Sequence, residues 1–395
     1  MASEPWLVVV GVGEDGPDGL PPASRAAVAA AEIVFGGRRH LALLGIAADR
    51  ARPWPVPFDV APVLAVRGRL TAVLASGDPF WFGAGAVLAE RLDRAEWTAL
   101  PAPSTFALAA ARLGWRLETT RCLGLHATPF ETALPVLHRG ARLLCLVADA
   151  AAVGGLAAFL AARGFGASRL VVLERLGGPH ERVRSTTADA PPLPDVAAPV
   201  AVAVEVAGGP GLSAVPGRPD DLFEHDGQIT RAAVRALTLA ALAPRPGEHL
   251  WDLGTGSGSV AIEWCLAGGT ASAVERRPDR AAVARRNADV LGVGRSVRVV
   301  EGSTGDVLDR LPPPDAVFVG GGADDALIAR VVARSTSGCR LVVNAVTLET
   351  ERLVVDGHAR HGGRLTRIDL AEAAPLGRMR GFVPARPIVQ WSVTL

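Results

Sequence analysis

The chain has 395 residues, 49% hydrophobic and 21% charged, which suits two or three domains with sizeable cores and excludes a disordered chain. Its 41 basic residues are all arginine and balance 40 acidic ones to a net charge of +1, so no global field draws it towards nucleic acid or an anionic membrane. With no lysine, pyridoxal and Schiff-base aldolase chemistry and a Walker-type phosphate loop are excluded.

The chain starts from an acidic residue straight into a strand, with no basic leader and no apolar run of membrane length. Cys122, Cys145, Cys265 and Cys339 form no C-x-x-C pair. A cytoplasmic protein with reduced, buried thiols and no bound metal is expected.

The first strand, Leu7–Val12, runs into a loop whose Gly11, Gly13 and Gly16 match G-x-G-x-x-G. That pattern names a dinucleotide, and an NAD-linked oxidoreductase is one reading of the chain. Its context argues otherwise. Gly16 is followed by Pro17, Pro21 and Pro22, so a helix is predicted only from about Pro22 or Ala23 to Glu32. The acid that should end the second strand is Glu32, which precedes the strand IVFGG.

Further strands are predicted at Leu70–Ala75, Leu143–Val147, Leu170–Glu174 and Val200–Val206. Helices are predicted at Ala84–Arg91, Thr105–Leu113 and Val153–Arg163. The alternation predicts an α/β fold with largely parallel sheets. Two loops stand out: SGDP at Ser76–Pro79, and PAPST at Pro101–Thr105, where Ser104 is a fitting helix N-cap. Asp78 suits either a ligand contact or a side-chain-stabilised turn.

Residues 207–221 are rich in Gly, Pro and Asp and lack periodicity, so they read as a linker between domains 1–206 and 222–395. A helix at Ile229–Leu242 then leads to strand HLWDLG. Its loop, Gly254-Thr255-Gly256-Ser257-Gly258, opens another helix, and the next strand ends in Glu275. A G-x-G-x-G turn lets backbone amides approach a ligand, and a carboxylate ending the second strand can accept both ribose hydroxyls of a nucleoside. Strands SVRVVEG, DAVFVGGG and CRLVVNAV, a helix TLETERLVVDGHARHG, and strands near Leu365–Leu370 and Pro387–Val393 complete a seven-stranded sheet. The last two could pair like a hairpin across a loop holding Arg378, Arg380 and Arg386.

D-x-G-x-G-x-G with Glu275 resembles the class I S-adenosylmethionine (SAM) methyltransferases, a Rossmann-like fold. The sequence carries Gly320-Gly321-Gly322 where nucleic-acid amino methyltransferases have an Asp/Asn-Pro-Pro-aromatic box. V-G-V-G, S-G-D-P and P-x-P-S-T-F-A-x-A-A-A-R-L-G, in that order, resemble the tetrapyrrole methylases, which use SAM on an unrelated fold of two α/β subdomains. Together the halves resemble the bifunctional methyltransferases of cobalamin biosynthesis over nearly the whole chain. GLHATPF around His126, RLGGPHERV, FEHDGQITRAAVRALTLA and NAVTLETE from Asn344 add to the match.

The resemblance implies SAM-dependent methylation of a reduced tetrapyrrole at carbons 5 and 15, with decarboxylation of the ring C acetate. It implies a homo-oligomer, dimer or tetramer, that binds neither nucleic acid nor membrane. Gly11, Gly77, Asp78, Ser104 and Thr105 would border one SAM. Thr230, Gly254, Thr255, Gly256, Ser257, Gly258, Glu275, Gly302 and Ser303 would border the other. Thr230 equally fits a helix N-cap. Arg378, Arg380 and Arg386 would meet substrate carboxylates. No catalytic acid or base stands out; His126, Asp78 and Asn344 are candidates, and His225 and His358 are further histidines that could carry protons. A SAM-binding protein without activity is the remaining alternative.

Overall fold

The computed structural model describes residues 5–395, so the leader-free reading of residues 1–4 lies outside it. The chain divides into two units. One runs to Pro210 without residues 131–135; the other comprises Glu131–Pro135 and Gly211–Leu395.

The first unit opens with β1 (Leu7–Val12), α1 (Pro22–Ala30), β2 (Ile33–Gly36), α2 (Arg38–Leu43), β3 (Ala51–Pro53), α3 (Ala61–Leu64), β4 (Thr71–Ser76), α4 (Ala84–Ala89) and β5 (Trp97–Leu100). These strands form a sheet in the order β3-β2-β4-β1-β5, with every neighbouring pair parallel. Leu7, Val9, Ile33, Phe35 and Val73 pack into a core on one face; Val8, Val10, Val34, Ala72 and Leu74 pack on the other. Burial on both faces explains why the strands read as unbroken apolar runs. All five strand ends open on one edge.

A helix, α5 (Thr105–Leu113), leads into β6 (Arg121–Gly124), β7 (Arg142–Leu146), α6 (Ala150–Ala162), β8 (Arg169–Glu174), β9 (Arg182–Thr187) and β10 (Val200–Glu205). The expectation of parallel sheets fails here. The order is β6-β7-β10-β8-β9, and only β6 and β7 run parallel. The chain crosses from β7 through α6 to β8 and leaves a strand-wide gap, which β10 fills from the opposite direction. α6 begins three residues earlier than the sequence pattern suggests, because the Asp149 side chain accepts the Ala152 N–H at 2.9 Å and caps it.

The second unit contains α7 (Ala232–Leu242), β11 (His249–Leu253), α8 (Ser259–Leu266), β12 (Thr270–Glu275), α9 (Pro278–Val290), β13 (Val297–Glu301), α10 (Thr304–Val307), β14 (Ala316–Val319), α11 (Asp325–Arg334), β15 (Arg340–Ala345) and α12 (Leu348–His361). It ends with β16 (Arg364–Ile368), β17 (Ala371–Leu376), β18 (Met379–Pro384) and β19 (Ile388–Thr394). Its seven-stranded sheet has the order β13-β12-β11-β14-β15-β19-β16. Trp251, Leu253, Val317, Val319, Leu341 and Val343 fill one core; Leu250, Ala271, Ala273, Phe318 and Val342 fill the other. The expected final pair is β16 and β19, antiparallel neighbours. The stretch between them, expected as a loop, folds into the separate hairpin β17–β18.

A buried ionic network ties residues 217–220 into this unit. Glu263, on α8, accepts the Gly217 N–H at 2.8 Å, the Arg218 N–H at 3.0 Å and Arg235 Nε–H at 2.7 Å. Arg235, on α7 and fully buried, also donates to Asp220 at 3.1 Å and to the Arg218 carbonyl at 2.5 Å. Such a group of charges is held in a dry interior only because every member is paired.

Candidate functional site

Each unit brings its sequence-marked loops together at the carboxyl ends of parallel strands, where open α/β folds bind ligands. In the first unit, the exits of β1, β4 and β5 converge. The Gly77 N–H donates to the Val12 carbonyl at 3.0 Å, and the Ala102 N–H donates to the Gly77 carbonyl at 3.1 Å. A Cβ on Gly11 would overlap that carbonyl and the Ala102 nitrogen. Gly77 has φ +54°, and a Cβ there would lie 2.8 Å from the Pro103 oxygen. The two glycines therefore let three backbone segments cross without side chains. Gly16 begins a 3-10 turn, Gly16–Gly19, and the following helix starts at Pro22, so the dinucleotide pattern lacks its helix.

Asp78 Oδ1 accepts the Phe80 N–H at 2.8 Å, the turn contact anticipated as its alternative role. Ser104 caps α5 by accepting the Ala107 N–H at 3.1 Å, and Thr105 is the first residue of that helix. His126 follows β6, outside this group of bonds; loss of hydration lowers its pKa from the ordinary value.

In the second unit the loop after β11 holds Gly254, Gly256 and Gly258 at φ +77°, +58° and +80°, which a residue with a Cβ adopts only under strain. Glu275 Oε2 accepts the Gly256 N–H at 3.0 Å, and its Oε1 accepts the Arg277 N–H at 2.9 Å. The acid and the glycine loop are thus joined directly. Asp252, at the end of β11, accepts the Thr255 hydroxyl at 2.6 Å and the Ala261 N–H at 3.1 Å through Oδ2. Burial pushes its pKa up to about 6 despite these bonds, and the Glu275 charge adds to the rise.

The segment Glu224–Thr230 lies against this loop; a Cβ on Gly256 would come within 3.3 Å of the Gln228 oxygen. Asn287, on α9, holds both together. Its Nδ2 donates to the Ser257 carbonyl at 2.8 Å and the Glu224 carbonyl at 2.9 Å, while its Oδ1 accepts the Glu224 N–H at 2.8 Å. Nothing in the sequence marks Asn287, which lies within an ordinary polar helix. Thr230 does not cap α7: the capping position is Arg231, without a side-chain bond, and the Thr230 carbonyl instead accepts from Arg235. The Gly302 N–H donates to the Glu275 carbonyl at 3.0 Å, and Ser303 donates to Asp306 at 2.7 Å.

The remaining candidates are placed otherwise. Asn344 is buried, donating to Thr238 at 3.0 Å and accepting from Gln390 at 2.9 Å. Arg380 lies on β18 of the hairpin, Arg378 in its turn and Arg386 just beyond it, all exposed. His225 accepts the Gly227 N–H at 3.0 Å through Nδ1, and His358 lies on α12. A cavity of about 230 Å³ beside α6, lined by Val153, Ala157 and Pro192 among others, includes none of the candidates.

The second loop fits a nucleoside-bearing ligand. Asp252 Oδ1 and Ser257 Oγ are buried without a partner among the described residues, and the loop carries no side chain at three positions. No helix among the described residues is long and apolar enough to cross a membrane.

Residues 6–192 match a family model described as Tetrapyrrole (Corrin/Porphyrin) Methylases, and residues 221–395 match one described as Precorrin methyltransferase domain. A protein from Sinorhizobium sp named precorrin-6Y C(5,15)-methyltransferase [decarboxylating] is 48% identical over 99% of this chain and 96% of its own length. A Mycobacterium tuberculosis protein of the same name is 39% identical over 98% of this chain and 99% of its own. The solved C-terminal domain of precorrin-6Y C5,15-methyltransferase from Rhodobacter capsulatus is 55% identical, covering 47% of this chain and 100% of that domain, with a TM-score of 0.46.

Proposed function

The chain belongs to the precorrin-6Y C(5,15)-methyltransferase (decarboxylating) family, and from that membership we propose that it methylates precorrin-6Y at carbons 5 and 15 and removes the ring C acetate carboxyl, giving precorrin-8 in cobalamin biosynthesis. The first unit carries out the carbon 5 methylation; the second carries out the carbon 15 methylation and the decarboxylation. The observation behind two sites is one glycine-lined set of loops at the carboxyl ends of parallel strands in each unit.

SAM is the methyl donor in both, supplying a methyl group activated by a sulfonium. In the second unit Gly254–Gly258 receive its methionine part, Glu275 takes the ribose hydroxyls, Gly302 and Ser303 lie by the adenine, and Thr230 borders the pocket. Glu275 can do this while holding Gly256, because a carboxylate offers about four lone-pair sites and two are used here. In the first unit the crossing at Gly11 and Gly77 forms the floor, with Asp78, Ser104 and Thr105 at its rim.

The meso carbons of the reduced macrocycle are enamine-like nucleophiles. The residues therefore work by orienting substrate, excluding water and managing protons rather than by covalent bonding. The conjugated macrocycle takes up the electron pair released by carbon dioxide loss.

Calorimetry of the full chain with SAM tests the reading, with two sites expected. Mass spectrometry of the product should show two methyl gains and one loss of carbon dioxide. Saturable NADH binding without SAM binding would favour the oxidoreductase and reject this proposal.

A further inference from the structure

Arg39, on α2 at the exit of β2, lies at the strand-exit edge of the first unit although no sequence motif marks it. It reaches two neighbouring strand exits. Its Nη1 pairs with Glu14, in the loop after β1, and its Nη2 donates to Ser76 Oγ, at the end of β4, at 3.3 Å. Ser76 directly precedes Gly77 and Asp78. The same Nη2 lies 2.8 Å from His40 Nε2, which is 3.0 Å from Ser76 Oγ.

A guanidinium has only N–H donors, so Nε2 of His40 is an acceptor here and the ring proton sits on Nδ1. Burial and the adjacent Arg39 charge push the His40 pKa down to about 4, leaving the ring neutral near pH 7. Arg39 is thus held in place by a neutral ring and a hydroxyl, neither of which cancels its charge. Its one ionic partner among the described residues, Glu14, engages a single nitrogen, and the Arg39 side chain is 40% exposed. Glu14 is 17% exposed, so solvent screens the pair only in part, but its one-toothed contact is weaker than the two-toothed grip that a substrate carboxylate can take. Two of the five guanidinium N–H groups have no partner among the described residues, and a second carboxylate can use them.

We propose that Arg39 binds a side-chain carboxylate of the tetrapyrrole in the first unit, and that Glu14 is the intramolecular carboxylate which the substrate displaces. The inference rests on the function proposed above. His40 and Ser76 are positioning residues that hold the guanidinium at the strand exits.

The full-length chain provides the test, through the KM for the tetrapyrrole in carbon 5 methylation and calorimetry with SAM. Arg39→Met should raise that KM about tenfold or more, the loss expected for a hydrogen bond between charged groups, with SAM affinity unchanged. Glu14→Gln should act oppositely and lower KM about threefold, because it removes a competitor of modest strength. In the Arg39→Met background, Glu14→Gln should have no further effect. A salt bridge that merely braced the loop would make both single variants worse together, and that result overturns the assignment, as does an unchanged KM in Arg39→Met. Should Arg39→Met fold poorly, the opposite-sign effect of Glu14→Gln decides alone. If the unaltered protein binds SAM but does not methylate carbon 5, the functional reading falls and takes this proposal with it; normal methylation with no response to either variant removes Arg39 alone.

Discussion

Glu275 fixes the Gly256 amide of the glycine loop, and the proposed function gives the same carboxylate a second task, holding the ribose. Glu275→Ala should weaken SAM binding at the second site about 10–100-fold, since it removes a charged acceptor and frees the loop. Calorimetry of the full chain should then show one tight site instead of two. Asp252 makes a different prediction. Its folded pKa of about 6 lies above the unfolded value of roughly 4, so the folded state holds the proton more tightly between these limits. Its contribution is greatest below about pH 4 and is lost as pH rises to about 6. Asp252→Asn should remove that dependence, seen as a flatter curve of melting temperature against pH across this window for the second unit.

Among the elements, the parallel strands and their glycine exits were legible in the sequence because burial on both faces leaves apolar runs and a tight turn demands glycine. Strand direction was not. VAVAVE reads the same either way, and β10 lies antiparallel between β7 and β8. The hairpin β17–β18 escaped notice because nearly all its residues are exposed, so neither AEAAPL nor MRGFVP shows an apolar alternation. Local geometry was readable where a motif carried it, at Gly254–Gly258 and Glu275, which the structure joins through the Gly256 amide. It was hidden where contacts span long sequence distances, as from Asn287 to Glu224 or from Arg39 to Ser76. The crossing of the β1, β4 and β5 exits yields an element-level prediction. Gly11→Ala would force the Gly77 carbonyl and Ala102 amide apart. It should abolish SAM binding in the first unit and leave the second intact, so calorimetric stoichiometry falls from two to one.

For the whole molecule, the two units carry different sheets and different glycine loops, and the same donor is proposed for each. The boundary between them is sharper than composition suggests. Residues 207–221 all look like linker, yet Glu263 and Arg235 bind residues 217–220 into the interior of the second unit. A C-terminal fragment starting at Gly211 keeps that network. One starting at Leu222 strips partners from a buried Arg–Glu pair and should lose about 3–5 kcal/mol of stability, measurable by urea denaturation. The same bonds set a kinetic signature. The amides of Gly217 and Arg218 donate to a carboxylate sealed from water, so their deuterium uptake should wait for global opening of the second unit. Residues 213–215 have no such shelter and should exchange early. The step in exchange rate just before Gly217 marks where one cooperative block of the protein stops and the next begins.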